Sequence, residues 1–119
     1  MKLRNTRHRL RRTAEFTLVR KYGKCINNKA FALQALKVPT QEGELSPARL
    51  GIIVSRKIGN AVYRNRAKRV FREIFRCNQY LINDNVDIVI VVRKIFNKYN
   101  YHQLEDIFLD LCSKAGIKN

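Results

Sequence analysis

The chain has no tryptophan, one methionine, two prolines and three cysteines among its 119 residues, and 9 acidic side chains stand against 25 Lys and Arg. Each shortage excludes something. Cys25, Cys77 and Cys112 are odd in number and widely spaced, so they form neither a disulfide framework nor a C-x-x-C pair, and reduced core thiols are expected. His8 and His102 have no Cys or His at ligand spacing, so no metal site is expected in the protein. The longest apolar run, Val86 to Val92, contains Asp87 and falls far short of the ~20 residues of a membrane helix, so no membrane partner is expected. A free-standing metal-dependent nuclease would need clustered carboxylates. Here they are scattered, and the adjacent Glu105 and Asp106 point to different sides of a helix. No Ser-His-Asp set, Cys-His pair or Gly-rich phosphate loop is present, so no catalytic residue is assigned to the protein.

What is abundant is positive charge, a formal +16. Such self-repulsion is tolerated where the partner is a polyanion, and nucleic acid is the expected one. The charge is regional: Lys2 through Lys24 holds nine cations opposed by Glu15, and Arg56 through Arg76 holds eight opposed by Glu73. Hydrophobic residues at 45% still suffice for a packed core, and the length suits one domain spanning 1–119.

Residues 1–12 show no apolar period and are expected to be a mobile basic arm that contacts RNA, which places the protein in the cytoplasm. The same Arg-rich start also suits an organellar transit peptide. Thr13 is placed to cap a helix through Tyr22, with Gly23 as a left-handed stop. Lys24 to Asn28 reads as a brief strand and Lys29 to Val38 as a longer one, with Phe31, Leu33 and Ala35 on one face. Pro39 to Pro47 is a loop, Leu50 to Ser55 a third strand, and an antiparallel meander fits the three. After Gly59 the apolar period changes to 3.6, and Asn60 can cap a helix to about Gln79 whose Tyr63, Ala67, Val70, Phe71, Ile74 and Phe75 cover one arc. Val86 to Val92 is a β-branched strand covered on at least one face. Asn100 and Gln103 form a capping box for a last helix ended by Gly116. The order α-β-β-β-α-β-α gives an α+β fold of one sheet with helices.

Arg64, Lys68, Arg72 and Arg76 recur every four residues along the second helix, with Asn65 and Arg69 beside them. Like charges at that spacing each cost an isolated helix roughly 0.2–0.5 kcal/mol, and a solvated face would intersperse Glu. The missing acids, the preference for Arg, and Arg56 and Lys57 just ahead of Gly59 favour RNA contact, because the guanidinium fork matches phosphate.

The stretch from Gly51 to Arg76, GIIVSRKIGNAVYRNRAKRVFREIFR, resembles the signature of the protein subunit of bacterial-type ribonuclease P, with Arg64-Asn65-Arg66, Lys68, Arg69 and Arg72 as its RNR motif. The likeness extends from Arg9-Leu10 and Glu15-Phe16 through Gly23 and Asn28-Lys29 to Val91-Val92-Arg93-Lys94 and the last helix. It implies a ribosomal protein S5 domain 2-like fold with a left-handed βαβ crossover. It also implies an accessory role in a ribonucleoprotein endonuclease that removes the 5′ leader of precursor tRNA. In that family the catalytic groups belong to an RNA subunit, Mg²⁺ is the cofactor, and the partners are that RNA, in a heterodimeric holoenzyme, and precursor tRNA.

By matching position, Arg56, Lys57, Arg64, Asn65, Arg66, Lys68, Arg69 and Arg72 would face the RNA, and Phe16, Arg93 and Lys94 would line the leader cleft. Arg20 and Gln34 stand there where the family often has aromatics. A structural rRNA-binding ribosomal protein is the alternative that composition and fold permit.

Overall fold

Val86 to Val92 is the most β-branched segment of the chain, and the other strands assemble around it. The computed structural model describes residues 9–39 and 44–119. Its strands are β1 (Lys24–Asn27), β2 (Phe31–Lys37), β3 (Arg49–Ile53) and β4 (Val86–Val92), and its helices α1 (Thr13–Tyr22), α2 (Ala61–Asn78) and α3 (Tyr101–Lys114). The element order is the one read from sequence. The sheet order is β1-β2-β4-β3. β1 with β2 and β2 with β4 are antiparallel, whereas β3 pairs parallel with β4. This corrects the expected meander: β3 does not touch β2, because α2 carries the chain across and lets β4 insert between them.

The two faces of the sheet bury different partners. Phe31, Leu33, Ala35, Leu50, Ile88 and Ile90 point to the main core, which Phe71, Ile74 and Phe75 of α2 and Leu104, Phe108 and Leu111 of α3 complete. The opposite face carries Gln34, Leu36, Val89 and Val91, and α1 lies on it through Phe16 and Val19, with Leu10 beside them. Caps fix the two longer helices. Asn60 Oδ1 accepts from the Tyr63 N–H at 2.9 Å, and Asn100 and Gln103 cap each other at 2.8 and 2.9 Å. Gly116, at φ 76°, ends α3 in the left-handed conformation that glycine tolerates.

Several expectations change. Thr13 is the first helical residue of α1 and Arg12 the cap position; the capping is done by Glu15, whose Oε1 accepts from the N–H of Arg11 and of Arg12, each at 3.0 Å. Gly23 is extended, at φ −79° and ψ 167°, so no left-handed stop exists there. What requires glycine is close approach, since a Cβ would lie 2.7 Å from the Ala35 carbonyl oxygen. Of the arm, residues 1–8 lie outside the described residues. Leu10, by contrast, is buried and donates its N–H to the Leu50 carbonyl at 2.9 Å. Of the three cysteines Cys112 alone is a core thiol, pushed up to about 12 by burial; Cys25 and Cys77 are exposed.

Candidate nucleic-acid interface

An 18-residue amphipathic helix that buries Ala67, Phe71, Ile74, Phe75 and Asn78 presents its other residues outward, and on α2 six of these are cationic against the single acid Glu73. Asn65, Arg66, Arg69, Arg72 and Arg76 are exposed, and Arg64 and Lys68 half-buried. Arg76 is ion-paired, to Glu73 at 2.6 Å, and no other α2 cation is paired among the described residues. Burial first, and then the charge of Arg9, lowers the Arg72 guanidinium below its ordinary value. Arg9 is a contributor that sequence reading had assigned to the arm; its bridge to Leu50 on β3 brings it here.

The helix distributes these groups by angle. Arg64, Lys68 and Arg72 form one flank, and the Arg64 guanidinium donates to the Gly59 carbonyl at 2.6 Å. Asn65 and Arg69 form the crest. Arg66, two residues from Arg64 and so about 200° around the axis, stands on the other flank, over a groove toward α3 lined also by Tyr63, Phe96, Tyr99 and Tyr101. The three-residue motif thus serves two sides of α2. Arg56 and Lys57 are exposed in a 3-10 turn, Arg56–Ile58, just before Gly59.

Of the residues assigned to a cleft, Phe16, Arg20 and Gln34 gather at α1 and its face of the sheet, whereas Arg93 and Lys94 follow the end of β4 and Lys94 lies toward α2. Strand register aligns Cys25, Gln34, Val89 and Gly51 in one row across the four strands. The Phe16 ring lies on this row at Gly51, where a Cβ would come within 2.5 Å of the ring, so glycine is needed to seat the aromatic. Arg20 is exposed one turn further along α1. Gln34 Oε1 is buried and meets no donor among the described residues. Arg93 donates to Asn27 Oδ1 at 2.6 Å beside the open end of this face. Lys94 is exposed at the start of the 3-10 segment Lys94–Lys98, with its carbonyl 3.5 Å from the Tyr63 hydroxyl.

An ion network that the sequence did not disclose fixes α1 over the sheet. Arg49 meets both oxygens of Asp87, at 3.0 and 2.8 Å, and Glu15 at 2.8 Å. Asp87, inside the apolar strand, is affordable because Arg49 lies directly opposite it in the parallel register. Burial would raise the Glu15 carboxyl, but the Arg12 and Arg11 N–H bonds and Arg49 outweigh it and hold the group at about 2. The carboxylates nearest the cleft are therefore spoken for, and among the described residues no three His, Cys, Asp or Glu side chains gather as a metal ion would require.

Comparison with known proteins agrees over nearly the whole chain. The family model described as Ribonuclease P matches residues 4–116. A ribonuclease P protein component from Finegoldia magna is 39% identical over 110 residues, covering 92% of this chain and 92% of that protein. One from Clostridium beijerinckii is 35% identical over 114 residues, covering 94% and 91%. The solved RNase P protein of Thermotoga maritima superposes with a TM-score of 0.76 at 36% identity, over 89% of this chain and 96% of that one. That of Staphylococcus aureus gives 0.78 at 29%, over 94% and 98%.

Proposed function

The chain belongs to the ribonuclease P protein family, the protein component of a tRNA-processing ribonucleoprotein, and on that premise we propose how it shares the work with RNA. The RNA subunit supplies the catalytic groups. The protein seats that RNA on Arg56, Lys57, Arg64, Asn65, Arg66, Lys68, Arg69 and Arg72, in a holoenzyme of one protein and one RNA. It holds the 5′ leader of precursor tRNA in the cleft of Phe16, Arg20, Gln34, Arg93 and Lys94, assisting endonucleolytic removal of the leader. The compartment is the bacterial cytoplasm. The ribosomal alternative falls away, since relatives matching over nine-tenths of the chain are ribonuclease P proteins.

The observation that carries this reading is the cationic face of α2, on which only Arg76 is paired with an acid among the described residues. Folding tolerates such a surface where phosphate supplies the counter-charge. The donor set does not suit a resident Mg²⁺, because Glu15 and Asp87 are both bound to Arg49. The proposed Mg²⁺ is held mainly by the RNA, and the protein acts on it through RNA geometry and reduced repulsion between RNA and substrate. Leader binding leans on charge and hydrogen bonds more than on stacking, since Phe16 is the one aromatic of the cleft set and each base stack is worth roughly 1–3 kcal/mol.

The test is cleavage of a precursor tRNA by the cognate RNA subunit at low Mg²⁺, with and without the protein. Cleavage at the mature 5′ end that needs both components is the expected result. No stimulation despite intact RNA binding would return the protein to a purely structural RNA-binding role.

A further inference from the structure

The groove between α2 and α3 has a volume of about 380 Å³ and lies across the helix from the Arg64, Lys68 and Arg72 flank. Its lining combines aromatic rings with hydrogen-bonding groups. Tyr63 and Phe96 pack edge to face, with centroids 5.3 Å apart at 74°, and make one wall. Tyr99 and Tyr101 contribute two further rings, and Arg66 and Asn97 are exposed at the rim. A seam that only joined two helices would be closed by aliphatic side chains at interior density. This one is open and carries a cation that no carboxylate pairs with among the described residues.

We propose that this groove binds one unpaired nucleotide of the RNA subunit, its base stacked on the Tyr99 ring and its phosphate on Arg66. The proposal rests on the reading of α2 as the RNA-facing helix and adds to it a second, chemically different contact. Four features select this occupant. The volume falls in the range of about 300–1,000 Å³ of small-ligand sites. Tyrosine faces accept any base, and proteins read RNA by stacking splayed, unpaired bases on such rings. The Arg66 fork matches phosphate, and no carboxylate lines the groove to repel it. Asn100 spends its Oδ1 on the α3 cap, which leaves its amide Nδ2 to donate to a base edge.

The test compares affinity for the cognate RNA subunit, and its dependence on salt, among full-length variants. Tyr99→Ala is expected to weaken binding about 5- to 150-fold, the equivalent of one lost stack, with an unchanged salt slope because no phosphate contact is removed. Tyr99→Phe, which keeps the ring, should recover most of the affinity. Arg69→Ala, on the crest, should instead lower the salt slope. If Tyr99→Ala binds as the wild type while Arg69→Ala does not, the groove holds no nucleotide and the α2 reading stands; if neither variant changes binding, the α2 reading itself fails. Should Tyr99→Ala not fold, the exposed rim change Asn97→Glu puts a carboxylate beside the bound phosphate. It should weaken binding at least tenfold, and undiminished affinity would overturn the proposal.

Discussion

Glu15 joins three parts of the molecule with one carboxylate: it caps α1, holds Arg49, and through Arg49 ties the helix to Asp87 on β4. Its pKa, lowered from an ordinary 4.5 to about 2, makes this bond pH-dependent. A depressed carboxyl stabilises the fold fully above its unfolded-state pKa, and the contribution is lost as pH falls through about 4.5 toward 2. Glu15→Gln should therefore cost about 1–2 kcal/mol at neutral pH, after discounting for its partial exposure. The gap to the wild type should narrow as the pH drops below 4.5. Thermal unfolding of both proteins at pH 7 and near pH 3 checks this, and an equal gap at both values would mean that Glu15 acts by packing alone. None of the network was legible beforehand. Arg49 lies 34 positions from Glu15 and 38 from Asp87, and only the register of β3 on β4 brings the three together. Gly23 shows the converse difficulty, since a glycine after a helix has two explanations, positive φ or close approach, and sequence alone does not choose between them.

At the scale of elements, legibility followed the strength of local signals. α2 was readable in both ends and facing because a 3.6-residue apolar period, the Asn60 cap and a continuous basic surface agree. α3 was readable because its capping box is a sequence pattern. The pairing of β3 was not, since parallel partners are far apart in sequence and nothing in Arg49–Ile53 names its neighbour. The same holds for the groove beside Arg66, whose rings come from α2, the Lys94–Lys98 segment and α3. The crest and flank of α2 make separable predictions. Arg64 also bonds the Gly59 carbonyl, so replacing it disturbs the turn before the helix as well as the charge. Arg69 is exposed and has no acid partner among the described residues, which makes it the cleaner probe. Arg69→Ala should leave thermal stability within about 0.5 kcal/mol. It should lower the slope of log affinity against log salt by about 1 for the RNA subunit. An unchanged slope would remove the crest of α2 from the interface.

The whole molecule carries +16 on 119 residues, and its response to salt should change sign when RNA binds. In the free protein, the cations of α2 other than Arg76 have no acid partner among the described residues, so added salt screens repulsion and should raise the unfolding temperature. In the complex, phosphate takes that role. RNA at about 100 times its dissociation constant stabilises the folded state by about 2.7 kcal/mol, worth about 10 °C in a domain of this size. Salt then dissociates the RNA and erodes this gain faster than screening helps, because each released phosphate contact costs affinity steeply. Amide hydrogen exchange of the free and RNA-bound chain at low and high salt measures both responses with the protein's own amides as the signal. Rising protection with salt in the free chain and falling protection in the complex is the expected pair. Falling protection in both would mean that specific ion pairs such as Glu15 with Arg49, rather than net repulsion, govern the free protein. Rising protection in both would mean that the basic surface makes no electrostatic contact with the RNA.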